Sequence, residues 1–169
     1  MTKFFLSLHV LAAISAVGPV AIAASMFPGV LRRAQAAPGD IAPRATLRTL
    51  HRICRVYAGV GVAVPVFGFA TASSLGVLGS AWLVTSIALT GCAAVILALL
   101  LLPRQEDALN AVEAADGADG RTPEGRRTDD RAPDRRAGAR LAMLTGVFNL
   151  LWATVTVLMI IRPGSTTGA

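Results

Sequence analysis

Charge is absent from three long stretches of this chain: residues 4–31, 56–103 and 141–161 contain no Asp, Glu, Lys or Arg. All 16 basic and 10 acidic residues lie outside them. A soluble domain interleaves charge with its apolar residues, so this segregation, at 54% apolar content, excludes an ordinary soluble fold. A helix needs about 20 apolar residues to cross the roughly 30 Å hydrocarbon core. The first and last stretches fit one crossing each. The middle one would be about 72 Å long as a helix, too long for one crossing and right for two. The "SSLGVLGS" sequence at 73–80 is the natural reversal. Four spans are expected, near 4–27, 55–75, 79–102 and 140–161. In lipid every backbone polar group must be bonded internally, so the spans are helices. The predicted fold class is all-α, an integral-membrane four-helix bundle.

The basic residues orient it. One precedes span 1, and six follow it: Arg32, Arg33, Arg44, Arg48, Arg52 and Arg55. None separates spans 2 and 3. Eight lie between spans 3 and 4 (Arg104, Arg121, Arg126, Arg127, Arg131, Arg135, Arg136 and Arg140), and Arg162 follows span 4. The positive-inside rule then puts both arginine-rich loops in the cytoplasm and both termini outside. The opening "KFFLSLHVLAAISAVGPVAIAAS" has the outline of a secretory signal. Cleavage would send Arg32–Arg55 across the membrane, against the charge bias, and 4–31 exceeds the usual signal core of about 7–15 residues. It reads as a retained span. Topology also accounts for the net charge of +6. No nucleic-acid recognition motif accompanies the arginines, so nucleic acid is not an expected partner.

Within the spans, Pro19 should clash with the Ser15 carbonyl and Pro65 with that of Gly61. Two kinked helices can widen a cavity between them, although simple bundle curvature would use the same prolines. Small residues recur at four-residue spacing in Ala12/Ala16, Gly59/Ala63, Gly68/Ala72, Ala88/Cys92 and Ala142/Gly146. Such faces let helix backbones approach closely in lipid. They can serve the fold, a homo-oligomer or a membrane-protein partner. Cys54 and Cys92 read as small buried hydrophobes without a disulfide. Tyr57 and Trp82 suit interfacial anchors.

Arg44, Arg48, Arg52 and Arg55 repeat at helical spacing in "PRATLRTLHRICRVY", with Leu47, Leu50, Ile53 and Cys54 on the other side. This predicts a basic amphipathic lead-in to span 2, within a cytoplasmic loop at 28–54, lying against the anionic inner leaflet of the lipid bilayer. Residues 104–139 hold seven arginines and nine acids. Span 3 can extend to about Ala115, and the rest of this polar cytoplasmic loop is expected to be mostly disordered. Residues 140–169 supply span 4 and a short tail.

No Asp, Glu, Lys or Arg lies within the apolar run of a span, which disfavours a proton-driven transporter. No P-loop, zinc spacing, catalytic triad or nucleotide loop appears, so an enzyme is not expected. Asn149, in the middle of span 4, predicts an interhelical hydrogen bond. His9 and His51 invite haem or copper, imidazole being a common metal ligand. They should differ in depth by about 28 Å at 1.5 Å per residue, too far for one metal. Any site would pair His9 with another group near the outer end, and Met159 is the soft candidate at that depth. The residue-level expectation is a structural His9, a solvated His51 and no cofactor.

"LHVLAAISAVGP", "LHRICRVYAGVGVAVPVFGFATA" and "LAMLTGVFNLLWATVTVLMIIRPG" together resemble a bacterial integral-membrane family, domain of unknown function 2269. The resemblance covers roughly residues 3–102 and 140–164. It implies a four-helix inner-membrane protein without an established activity. More distantly, the "LHVLAA" helix is similar to copper-resistance-D-like membrane proteins, where an early span-1 histidine recurs at the position of His9. Their further His and Met pattern is not evident here. The expectation is a multi-pass protein of the bacterial plasma membrane, a non-enzymatic accessory or interaction component. The alternative is a haem- or copper-binding protein, or a small-solute transporter, using His9.

Overall fold

The computed structural model describes residues 2–118 and 131–163. Helix is the regular structure throughout them. Helix α1 is Thr2–Ala36, α2 Ile41–Val60, α3 Ala63–Leu75, α4 Ala81–Val95, α5 Leu102–Ala118 and α6 Arg131–Ile161, and a π-helical stretch, Ile96–Leu101, joins α4 to α5. Four helical rods are long and apolar enough to cross a membrane: Lys3–Ala36, Ile41–Leu75, Ala81–Ala115 and Arg136–Ile161. These are the proportions of a multi-pass membrane bundle.

The distribution of burial fits lipid as the outer solvent. Ile14, Phe69, Leu99, Leu150 and Ile160 are all exposed, so large apolar side chains cover the outside as well as the inside. The main core lies in the arginine-rich half. There Val20, Ala24, Phe27 and Leu31 of α1 meet Leu47, Leu50 and Cys54 of α2, Leu97 and Leu101 of the π stretch, and Leu141 and Phe148 of α6. The opposite end holds a small cluster of Ala72, Trp82 and Leu83, with Val77 and Met159 packed against it.

Prolines set the irregularities. Helix α2 stops at Val60 and α3 starts at Ala63, so the second rod breaks at Gly61–Val62. That is one turn before Pro65, where the ring meets the Gly61 carbonyl. The freed groups are re-bonded in a tighter turn: Val62 N–H donates to Gly59 O at 3.2 Å and Val64 N–H to Gly61 O at 3.1 Å. Helix α1, by contrast, continues through both Pro19 and Pro28. The π stretch precedes Pro103, and Leu102 N–H reaches back five residues to Leu97 O. A widened turn there moves the Leu99 carbonyl away from the Pro103 ring.

The ends of the helices are chemically marked. Asp40 caps α2, its carboxylate accepting from Ala42 N–H at 3.0 Å. Gly76 ends α3 in the left-handed conformation at φ 68°, and Val77 N–H returns to Ala72 O at 3.2 Å. A residue with a Cβ is disfavoured at that φ.

Several expectations change. The stretch read as a loop at 28–54 is helix apart from a short turn at 37–40. Helix α6 begins at Arg131, ahead of the expected start near 140. Much of the disorder expected within 104–139 falls on 119–130, outside the described residues. Trp82 is buried, with Met159 packed on its cluster and the Arg162 guanidinium 5.8 Å from its ring centroid. Cys54 is buried, but Cys92 is exposed on the apolar surface. The small-residue faces divide as well. Ala16 and Ala72 are buried, whereas Ala88, Cys92, Ala142 and Gly146 face outward.

Candidate functional site

Three levels along the bundle carry polar or open features. At the end remote from the arginine-rich half, His9 is half-buried on α1, and its Nδ1 lies 2.9 Å from Val64 O. A carbonyl only accepts, so Nδ1 carries the proton in this contact. The imidazole lies over Gly68, where an added Cβ would come within 2.9 Å of its Cε1. Gly68 therefore makes room for the ring.

Met159 packs against the Ala72–Trp82–Leu83 cluster. Ala72 lies four residues, or one helical turn, beyond the Gly68 over which the His9 ring sits. Among the described residues, no group of three or more His, Cys, Asp or Glu could hold a metal ion. His51 is half-buried rather than solvated, and its Nδ1 is buried with no hydrogen-bond partner. It precedes Val64 by 13 residues, or about 20 Å along the rod, so one metal cannot join the two histidines.

Midway along the bundle, all four rods line a cavity of about 170 Å³. Val17 and Val20 of α1, Gly61 at the break, Thr90 of α4, and Phe148 and Trp152 of α6 form its walls. Its walls are almost wholly apolar, and it is partly open to the outside rather than enclosed. Non-helical backbone at membrane depth is tolerated where it lines such a space. The proline pattern raised the cavity, but it could not give the rotation that aims four rods at one point.

Nearby, Asn149 donates through Nδ2 to Ser25 Oγ at 3.1 Å, and Ser25 Oγ donates to Ala21 O at 2.6 Å. The amide thus links α6 to α1, while its Oδ1 is buried without a partner.

At the arginine-rich end, α2 shows the expected division. Leu47, Leu50 and Cys54 are buried, while Arg48, Arg52 and Arg55 are exposed. Arg44 is half-buried, and its Nε donates to Asp40 O at 3.1 Å. Arg48 Nε pairs with Glu113 Oε1 of α5 at 2.7 Å. The segment does not form a separate surface helix. It continues the second rod, packs on α1 and α5, and spreads its arginines over about 16 Å of rod length.

Gln105 was not foreseen. It is 1% exposed, and its Nε2 lies 3.8 Å from Cys54 Sγ, with Oε1 unpartnered. Its position beyond Pro103 reads as a polar extension of span 3, and the sequence does not show that it turns inward.

No family model, no curated protein and no solved structure matches this chain. The resemblance to domain of unknown function 2269 therefore rests on the helix text alone.

Proposed function

We propose that the chain is a non-enzymatic accessory component of a bacterial plasma membrane, with both termini outside, that presents a folded helical platform to a cytoplasmic partner. The carrying observation is that the rods do not end with their apolar runs. Helices α1, α2 and α5 continue together past them and share a core of Leu31, Ala34, Leu47, Leu50 and Leu101, with Leu109 and Val112 packed against it. A topogenic loop needs only its charges. A packed extension also fixes side chains in space, as a docking surface requires. Arg52 and Arg55, nearest the apolar run, would meet the anionic leaflet, at about 1 kcal/mol each. Arg48 and Glu113 would face the partner.

Reporter fusions at residues 35 and 120 should both read cytoplasmic. A periplasmic signal at 35 would overturn the orientation. Photo-crosslinking side chains at Arg48 and Glu113 should give protein adducts in cells, whereas those at Leu99 and Leu150 should give lipid adducts. Equal protein adducts at all four positions, or none at the first two, would remove the platform.

A second reading has one supporting observation. The Nδ1–H bond from His9 to Val64 O orients the ring and leaves Nε2 able to ligate a haem or copper. Purified protein should then show a metal stoichiometry or a visible band that His9→Ala abolishes. A colourless, metal-free sample sinks it.

A further inference from the structure

A second cavity, of about 260 Å³, opens between α1, α5 and α6 at the arginine-rich end. Leu31, Gln35, Arg104, Asp107, Arg140 and Leu141 line it. Their positions locate it relative to a membrane. The charge-free run of the first rod ends at Leu31, that of the third ends just before Arg104, and that of the fourth begins at Leu141, just after Arg140. Three independent apolar boundaries thus converge on one cavity. In a bundle that spans a membrane, these boundaries would put the cavity at the level of the lipid headgroups, whichever way it is oriented.

Its chemistry is divided. Leu31 and Leu141 are buried and form an apolar floor, whereas Arg104, Asp107 and Arg140 are exposed. Neither Arg104 nor Arg140 forms an ion pair among the described residues. Their charges come from different rods, unlike the single column on α2, so they can converge on an anion placed between them. Guanidinium groups bind phosphate oxygens in a bidentate fork, and basic pockets between transmembrane helices suit lipid headgroups.

We propose that this cavity is a specific site for an anionic phospholipid whose headgroup carries hydroxyls. Arg104 and Arg140 hold the phosphodiester at the cavity mouth, above the buried Leu31 and Leu141. Asp107 selects the headgroup. A carboxylate accepts from a hydroxyl and repels a second phosphate charge. A glycerol-type headgroup therefore fits better than a terminal phosphate monoester. Gln35, with both a donor and an acceptor, completes the polar rim.

The test is native mass spectrometry of the full-length protein in detergent, titrated in turn with phosphatidylglycerol, phosphatidic acid and phosphatidylcholine. Wild type should retain one phosphatidylglycerol at concentrations where phosphatidylcholine has dissociated. Arg104→Gln with Arg140→Gln should weaken that adduct about tenfold or more. Arg48→Gln with Arg52→Gln removes the same charge from α2 and should leave it within about twofold. Asp107→Asn should narrow the preference over phosphatidic acid. Equal weakening by the two arginine pairs would reduce the effect to general charge and overturn the site, as would equal retention of phosphatidylcholine. If the Gln pair does not fold, Arg104→Lys with Arg140→Lys keeps the charge and loses the fork. It should weaken the adduct, and unchanged retention by a folded Lys pair would overturn bidentate capture.

Discussion

At the scale of residues, what a side chain touches matters more than its type. His9 was visible in the sequence as an isolated histidine near a helix end. Its partner was not, because the Val64 carbonyl offers no side-chain signal and Gly68 is one of several glycines. The geometry makes Gly68 and His9 one unit. Gly68→Ala should move the ring and lose its hydrogen bond, at a cost of about 1 kcal/mol. In a His9→Ala background the same change should cost almost nothing, a coupling that a double-mutant cycle of unfolding in detergent would read. Additive effects would mean that the ring and the glycine act separately. Gln105 gives a prediction of opposite sign. Its Oε1 is buried without a partner and its amide has only a long contact to sulfur, so Gln105→Met should be neutral or stabilising. A loss beyond about 1 kcal/mol would show that the amide holds α5 on α2.

At the scale of elements, the four rods were legible because lipid imposes a simple code, runs without charge at least as long as the hydrocarbon core. Pro65 likewise marked where the second rod breaks. The code is silent on where a helix stops outside lipid. Residues 28–54 look like loop by charge, yet Leu31, Leu47 and Leu50 bury against one another and keep the helices going. Nor does it reveal the π stretch, since Pro103 sits at the end of an apolar run where a plain helix stop was equally good. The break is open to a direct test. Pro65→Ala restores an N–H that can donate to Gly61 O and removes the ring that crowds it. Amide exchange at residues 59–65 should slow as the rod becomes continuous. Unchanged exchange would mean that packing around the cavity, rather than the proline, holds the rod open. Gly76→Ala should act the other way, forcing a Cβ into φ 68° for about 1–2 kcal/mol, and should destabilise the reversal into α4.

At the scale of the whole molecule, packing is uneven. The arginine-rich half has a core from all four rods, and the opposite half has one small cluster. Composition could not foretell this, because the arginine-rich half carries almost all the charge and yet holds the larger core. Two forces could hold the extension together beyond the apolar runs, and their sizes decide between them. Arg48–Glu113 is an ion pair with side chains 62% and 37% exposed, and such pairs contribute at most about 1 kcal/mol. Leu47, on the same helix, is 0% exposed, and truncating a buried leucine costs about 2–5 kcal/mol. Leu47→Ala should therefore lower the thermal midpoint in detergent well beyond Arg48→Ala, and raising the salt should change only the small difference due to the pair. A larger and salt-sensitive loss from Arg48→Ala would mean that charge rather than burial organises the extension. The arginines would then hold the extension together as well as orient it, and a platform fixed by a buried core would have no physical basis.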